Sequence, residues 1–221
     1  MVSGMDTVAQ NLRIWPYDQV PYSGNYKPIV QELDYDDIKG SPYLNETLMK
    51  GYAKFINGDS TFYFFRYNIY TDKMEYLKED QMYVYENTSG TDYIYVDGHW
   101  FVNKSYKIRD EVKSGFLEVV ATGWCNLYKQ HVVDFVKMVP AQTPYHKDQP
   151  AHFSARKPNW FFSNSTQPLT LISIDSDGLM AVTGTDYEEV ASYAKTQKLK
   201  VKKEEDFIEL VQYLNKLRQK H

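Results

Sequence analysis

Residues 61–70 read TFYFFRYNIY, followed by Thr71-Asp72-Lys73 and then by MEYLKE (74–79) and QMYVYE (81–86). Aromatic and β-branched residues in short runs, broken by turn-forming residues, are the pattern of strands. Side chains alternate across a sheet, so one face of 61–70 carries Thr61, Tyr63, Phe65, Tyr67 and Ile69, and the other Phe62, Phe64, Arg66, Asn68 and Tyr70. Neither face is polar throughout, which predicts a central strand covered on both sides. The pattern continues outward in GYAKFI (51–56), DYIYV (92–96), HWFV (99–102), GFLEVVATG (115–123) and CNLYKQHVVDFVKM (125–138). Asn57-Gly58 and Asp97-Gly98 are dipeptides that tolerate positive φ, and they predict tight hairpins. Residues 48–138 therefore read as an antiparallel meander of about eight strands.

The rest of the chain frames this region. Residues 1–27 contain WPYDQVPYSGNYKP without a period of 2 or 3.6 and read as an extended arm. Residues 140–160, rich in Pro, Ala and Lys, read as a surface connection. NWFFS and LTLISI read as two further strands, with Asp175-Ser176-Asp177-Gly178 turning into LMAV. Thr185-Asp186-Tyr187-Glu188 has the form of a capping box ahead of a helix with the stripe Tyr187, Val190, Ala191 and Ala194. A second helix opens near Lys203, has Glu204, Glu205 and Asp206 in its first turn, and carries the stripe Phe207, Leu210, Val211, Leu214 and Leu217. The expected fold is mainly β, in the α+β sense: a curved antiparallel meander, half-open barrel or sandwich, with a C-terminal helix pair. The expected organisation is an arm at 1–27, a β-domain at 28–182 and a helical hairpin at 183–221 packed on it.

Composition narrows the function. Twenty Tyr, 11 Phe and 4 Trp make 16% of the 221 residues, enough to build a large core and incompatible with disorder, collagen or coiled coil. With 25 basic and 29 acidic residues the net charge is −4, which lacks the basic footprint that a nucleic-acid backbone requires. No apolar run approaches the length of a membrane helix, and MVSGMDTVAQ lacks the basic and apolar regions of a secretory signal, which leaves either a cytoplasmic protein or an exported one whose signal is absent. The one cysteine, Cys125, excludes an intramolecular disulfide and reads as a small buried residue.

The strings GSPYLNE (40–46), FRYNIYTDKMEYL (65–77), DGHWFV (97–102) and LKVKKEEDFIELVQYLN (199–215) resemble, in this order and spacing, a family of exported proteins of Bacteroidota-type Gram-negative bacteria. The resemblance covers about residues 28–217. The family has no assigned activity, so what the resemblance implies is export to the periplasm or outer envelope, with the signal peptide removed. The Tyr-Pro arm and the high tyrosine content depart from the family pattern. Under the same reading Asp6-Thr7-Val8 and Asp59-Ser60-Thr61 fit three-residue sites of O-glycan attachment, on Thr7 and Ser60. The sequons at Asn45, Asn87, Asn103 and Asn164 matter only in a eukaryotic secretory route.

Candidate chemistry is sparse. Glycosidases use paired carboxylates beside aromatic rings, and Asp34, Asp36, Asp37, Glu75, Glu79 and Asp80 are the acids available near aromatics. Their settings suggest a solvated face, with Asp72 a turn former, Glu75 a strand-face residue, and Arg66 and Asn68 ordering the hairpin by hydrogen bonds. His146 and His152 share a loop without the spacing of a helical metal pair. His99 and His131 read as partly buried side chains bonded to backbone. No phosphate loop, nucleophile elbow or zinc spacing is present, so neither catalytic residue, metal nor cofactor is expected. The expected function is a non-catalytic binding or assembly module whose partner is another envelope protein, with Trp15, Tyr17, Tyr22 and Tyr26 of the arm as partner-binding residues. The alternatives are a lipid or lipoprotein carrier with an apolar cavity, and a glycan-binding or glycan-active protein.

Overall fold

A computed structural model describes residues 38–85, 91–141, 147–165 and 167–219. Its strands are β1 (Met49–Phe55), β2 (Ser60–Asn68), β3 (Lys73–Lys78), β4 (Gln81–Val84), β5 (Thr91–Val96), β6 (His99–Ile108), β7 (Glu111–Ala121), β8 (Cys125–Gln130), β9 (Val133–Val136), β10 (His152–Ala155), β11 (Asn159–Asn164) and β12 (Thr170–Ile172). Helices α1 (Ser176–Thr183), α2 (Tyr187–Gln197) and α3 (Glu204–Arg218) follow. Ten strands form one antiparallel sheet in the order β12-β11-β8-β7-β6-β5-β1-β2-β3-β4, and β9 and β10 form a separate pair. The sheet has two ends, β12 and β4, and is not closed into a barrel. The expected fold class holds: mainly β, antiparallel, with C-terminal helices.

The turn chemistry accounts for the meander. Asp97 and Gly98 both take positive φ, 52° and 85°, and join β5 to β6 as the dipeptide predicts. Glu79 and Asp80 do the same between β3 and β4 without a glycine, at 52° and 59°. The β6–β7 hairpin, turning at Arg109 with φ 56°, runs in register from Ile108↔Glu111 to Phe101↔Glu118. Strand β6 thus continues well beyond HWFV, and β10 interrupts the connection expected at 140–160.

The chain divides into two compact units, one drawing on residues 38–51, 62–85 and 133–156, the other on 52–61, 91–132 and 157–219. In the first, Phe65, Tyr67 and Met74 are buried, and Tyr70 meets Phe135 and Phe153 with ring centroids 6.1 and 5.4 Å away. Phe62 and Phe64 are 73% and 40% exposed, so β2 is not covered on both sides as expected.

In the second unit the helices cover one face of the sheet. Ala121, Cys125, Leu127, Trp160 and Phe162 meet Leu179 and Val182 of α1, Val190 and Ala194 of α2, and Phe207, Leu210, Val211 and Leu214 of α3. The amphipathic stripe of α3 is the predicted one, and its acidic first turn and basic last turn suit the helix dipole. Polar contacts complete this layer: the Arg218 guanidinium lies 4.6 Å from the Trp124 ring and bonds Asp186, and Lys129 Nζ reaches Glu204 at 2.6 Å. The buried Asn215 carboxamide joins helix to sheet, accepting from Cys125 N–H at 2.8 Å and donating to the Cys125 and Thr122 carbonyls at 2.8 and 3.2 Å. Gly123, at φ 152°, leaves the space that Asn215 occupies; a Cβ there would lie 2.7 Å from its Cγ.

Two local expectations are corrected. Asp175-Ser176-Asp177-Gly178 is not a hairpin turn into a strand: Asp175 caps α1, accepting from Gly178 N–H at 3.0 Å, and LMAV is helical. Glycine is required at 178 by close approach, since a Cβ would meet the Ser173 carbonyl oxygen at 1.8 Å. No capping box forms at Thr185, which lies in a 3-10 turn at Gly184–Asp186 and accepts instead from Arg218 at 3.2 Å.

Replacing Asn215 by Ala strands the backbone groups of Cys125 in a dry core, where each unmet partner costs about 1–3 kcal/mol. N215A is expected to lose about 2–4 kcal/mol, read as a lower urea midpoint with an unchanged denaturant slope.

Candidate functional site

Four aromatic side chains converge on one face of β1, β5 and β6. Tyr93 and Tyr95 are two apart on β5 and share a face, and the register sets Tyr95 opposite Trp100. The Trp100 ring lies 4.8 Å from both, and Tyr52 of β1 closes the group at 5.4 Å from Tyr95, 6.0 Å from Tyr93 and 6.3 Å from Trp100. Ala53, Ile94, Val96 and Phe101, at the intervening positions, are buried and anchor these strands from the opposite face. Trp100 remains 40% exposed, and the three tyrosines are half-buried. A hydrogen bond with Tyr52, aided by burial, raises the Tyr93 phenol above its ordinary value. The result is a contiguous surface of large rings.

On the opposite face, Glu118 of β7 lies between two imidazoles. His99 Nδ1 is 2.6 Å from Oε1 and His131 Nε2 is 2.6 Å from Oε2, with the Phe101 ring beside both. The histidines are partly buried as expected, but they bond this carboxylate rather than backbone, because the register places Glu118 opposite Phe101 and Lys129. Burial pushes the Glu118 carboxyl up, while the hydrogen bonds and charges of His131 and His99 outweigh it and hold the group at about 2. The hydrogen bond to Glu118 raises His99. This is an orienting device: one carboxylate saturates two ring nitrogens. A lone acid in the apolar run FLEVV was the sequence signal for it.

The motif at 65–77 encloses a buried ion pair. Arg66 Nε donates to Glu75 Oε2 at 2.8 Å, Asn68 Nδ2 donates to Oε1 at 3.2 Å, and Arg66 stacks 4.0 Å above the Tyr43 ring. Asp72 accepts from the Tyr67 hydroxyl at 2.6 Å in its turn. Arg66 and Asn68 therefore order the hairpin, and Glu75, 2% exposed, is their anchor instead of a solvated acid.

The remaining candidates are dispersed. Trp15, Tyr17, Tyr22, Tyr26, Thr7, Asp34, Asp36, Asp37 and His146 lie outside the described residues. Ser60 is the half-buried first residue of β2. His152 Nδ1 donates to the Pro150 carbonyl at 3.2 Å. Cys125 is fully buried, and burial pushes its thiol up to about 12, far from a nucleophile's range. Among the described residues no group of three His, Cys, Asp or Glu side chains is arranged to hold a metal ion. A cavity of about 520 Å³ lies over α2 and α3, where Tyr193 and Tyr213 stack at 3.9 Å among Glu205, Glu209, Gln212 and Lys216.

No family model, curated protein or solved structure matches this chain. The functional reading therefore rests on geometry and on the sequence motifs.

The histidine–carboxylate cluster sets a pH dependence. His99, raised above 6.5, stabilises the fold below that pH and ceases to do so as pH climbs through its folded value. Glu118, lowered from 4.5 to about 2, stabilises above 4.5 and loses this as pH falls. Melting curves are expected to show the largest gap between wild type and E118Q in the window bounded by these two ordinary values, 4.5 and 6.5. The gap should narrow toward alkaline pH; a constant gap would contradict the coupling. Separately, E75A leaves the Arg66 charge buried without its anchor and is expected to cost about 3–5 kcal/mol in chemical denaturation.

Proposed function

We propose that this protein is a non-catalytic binding or assembly module of the bacterial envelope, contacting another protein through the surface formed by Tyr52, Tyr93, Tyr95 and Trp100. The observation that supports it is the contiguity of these rings. Tyrosines that merely fill a sheet would be scattered and singly exposed, whereas these four form one patch backed by a rigid sheet. Tyr and Trp are the residues that dominate interface energetics, because each brings a large, stiff contact area with a polar handle. The arm residues Trp15, Tyr17, Tyr22 and Tyr26 supply a second aromatic contact in this reading. Envelope location, and glycan attachment at Thr7 and Ser60, are supported by the sequence motifs alone.

A glycan ligand is the second reading, favoured by the same ring surface, since sugar faces stack on Trp and Tyr. A lipid carrier finds less support: beside Tyr193, Ile208 and Tyr213, the cavity over α2 and α3 is lined by two glutamates, a glutamine and a lysine, whereas a lipid site is lined predominantly by apolar side chains.

The test is quantitative capture from the native envelope with immobilised protein, comparing wild type with W100A and Y93A. A protein partner retained by wild type and weakened about 30-fold by W100A, the loss of a hot-spot residue, is the expected result. Capture that is equal for all three variants would overturn the reading, and elution by free oligosaccharide in place of a protein partner would establish the glycan alternative.

A further inference from the structure

The two ends of the ten-stranded sheet differ. β12 is three residues long and follows closely on Pro168, a residue type that blunts sheet edges. β4 reads Gln81-Met82-Tyr83-Val84, with no charge, no proline and no bulge, and Tyr83 and Val84 are 41% and 42% exposed. Hydrogen-bond phase shows which groups face outward. Tyr85 N–H donates to the Met74 carbonyl at 2.7 Å, so in the antiparallel register Tyr76↔Tyr83 is a hydrogen-bonded pair, while Glu75↔Val84 and Leu77↔Met82 are not. The N–H and C=O groups of Met82 and Val84 consequently point away from β3, and among the described residues no strand meets them.

These groups have a self-complementary spacing. Two β4 strands laid antiparallel about a two-fold axis at Tyr83 pair Met82 of each copy with Val84 of the other, satisfying all four outward groups on each side. Tyr83 then faces Tyr83 of the second copy in a non-hydrogen-bonded pair, the closer of the two pair types. Side chains on the same face support this register. The rings of Tyr63, Tyr76 and Tyr83 form a ladder across β2, β3 and β4, with centroids 4.8 and 5.5 Å apart, and the ladder stops at the exposed edge. Two-fold pairing continues it into the second copy. We propose that β4 is a homodimerisation edge, through which two copies join their sheets about Tyr83. A two-fold interface of this kind uses one surface twice and closes on itself, which protects an otherwise adhesive edge.

Sedimentation of the full chain from ~1 to ~300 µM tests it, because an edge this short is a small and therefore weak interface. Wild type is expected to pass from monomer to dimer in this range. Val84→Pro removes an outward N–H and no bond to β3, and should weaken association about tenfold or more. Tyr83→Cys provides a test independent of that variant's folding. With Cys125 fully buried, oxidised Y83C should run as a covalent dimer on a non-reducing gel, whereas Phe62→Cys, more exposed than Tyr83 but off the axis, should not. A wild type that stays monomeric throughout, a V84P that folds and associates as wild type does, or a Y83C that fails to cross-link would each overturn the proposal.

Discussion

The helical layer depends on one side chain. Asn215 projects from α3 into the bend between β7 and β8 and satisfies both backbone groups of Cys125, 90 residues away in sequence. A bend of this kind, pressed beneath a helix, would otherwise bury a donor and an acceptor without partners. The carboxamide offers both an acceptor oxygen and N–H donors in the plane of an amide, so it behaves as a short piece of strand supplied by a helix. Gly123 makes room for it, and the apolar stripe of α3 seats on Leu127, Trp160 and Phe162 around it.

The buried pair Arg66–Glu75 plays a comparable part in the other unit. Both charges are almost wholly desolvated; Asn68 bonds the second carboxylate oxygen and the Tyr43 ring covers one face of the guanidinium, whose Nη2 is buried without a hydrogen-bond partner. A purely apolar hairpin could shift by two residues and keep its faces; a charge pair set across β2 and β3 admits one alignment. The motif at 65–77 is therefore explained by register, without assigning it chemistry.

Much of the fold was legible because the local chemistry and the global arrangement agree. Asp97-Gly98 turns where such dipeptides turn, and Phe207, Leu210, Val211 and Leu214 are buried as their period requires. The failures turn on contacts that no local pattern shows, most of them to residues distant in sequence. Gly178 resembled a turn glycine, yet its reason is the Ser173 carbonyl against which α1 starts. Thr185 resembled a cap, yet Arg218 takes its hydroxyl. The link of His99 and His131 through Glu118 is invisible without strand register, as is the gathering of Tyr52 with Trp100. Trp15, Tyr17, Tyr22 and Tyr26 are the aromatics that periodicity does not place, whereas Tyr52, Tyr93, Tyr95 and Trp100 lie on strands whose alternation conceals that their rings meet.

The β6–β7 hairpin bears on the order in which the molecule assembles. Its eight partner pairs, from Ile108↔Glu111 out to Phe101↔Glu118, are at most 17 residues apart along the chain, so each closes only a short loop, and the entropy lost on closure grows with loop length. The Asn215 contacts span 90 residues. Folding routes that begin with such a hairpin therefore meet a small entropic barrier, and the docking of α3 comes after the strands that receive it. During synthesis the hairpin leaves the ribosome well before α3 does, which leaves Cys125, Leu127 and Phe162 uncovered until the C-terminal helix is complete.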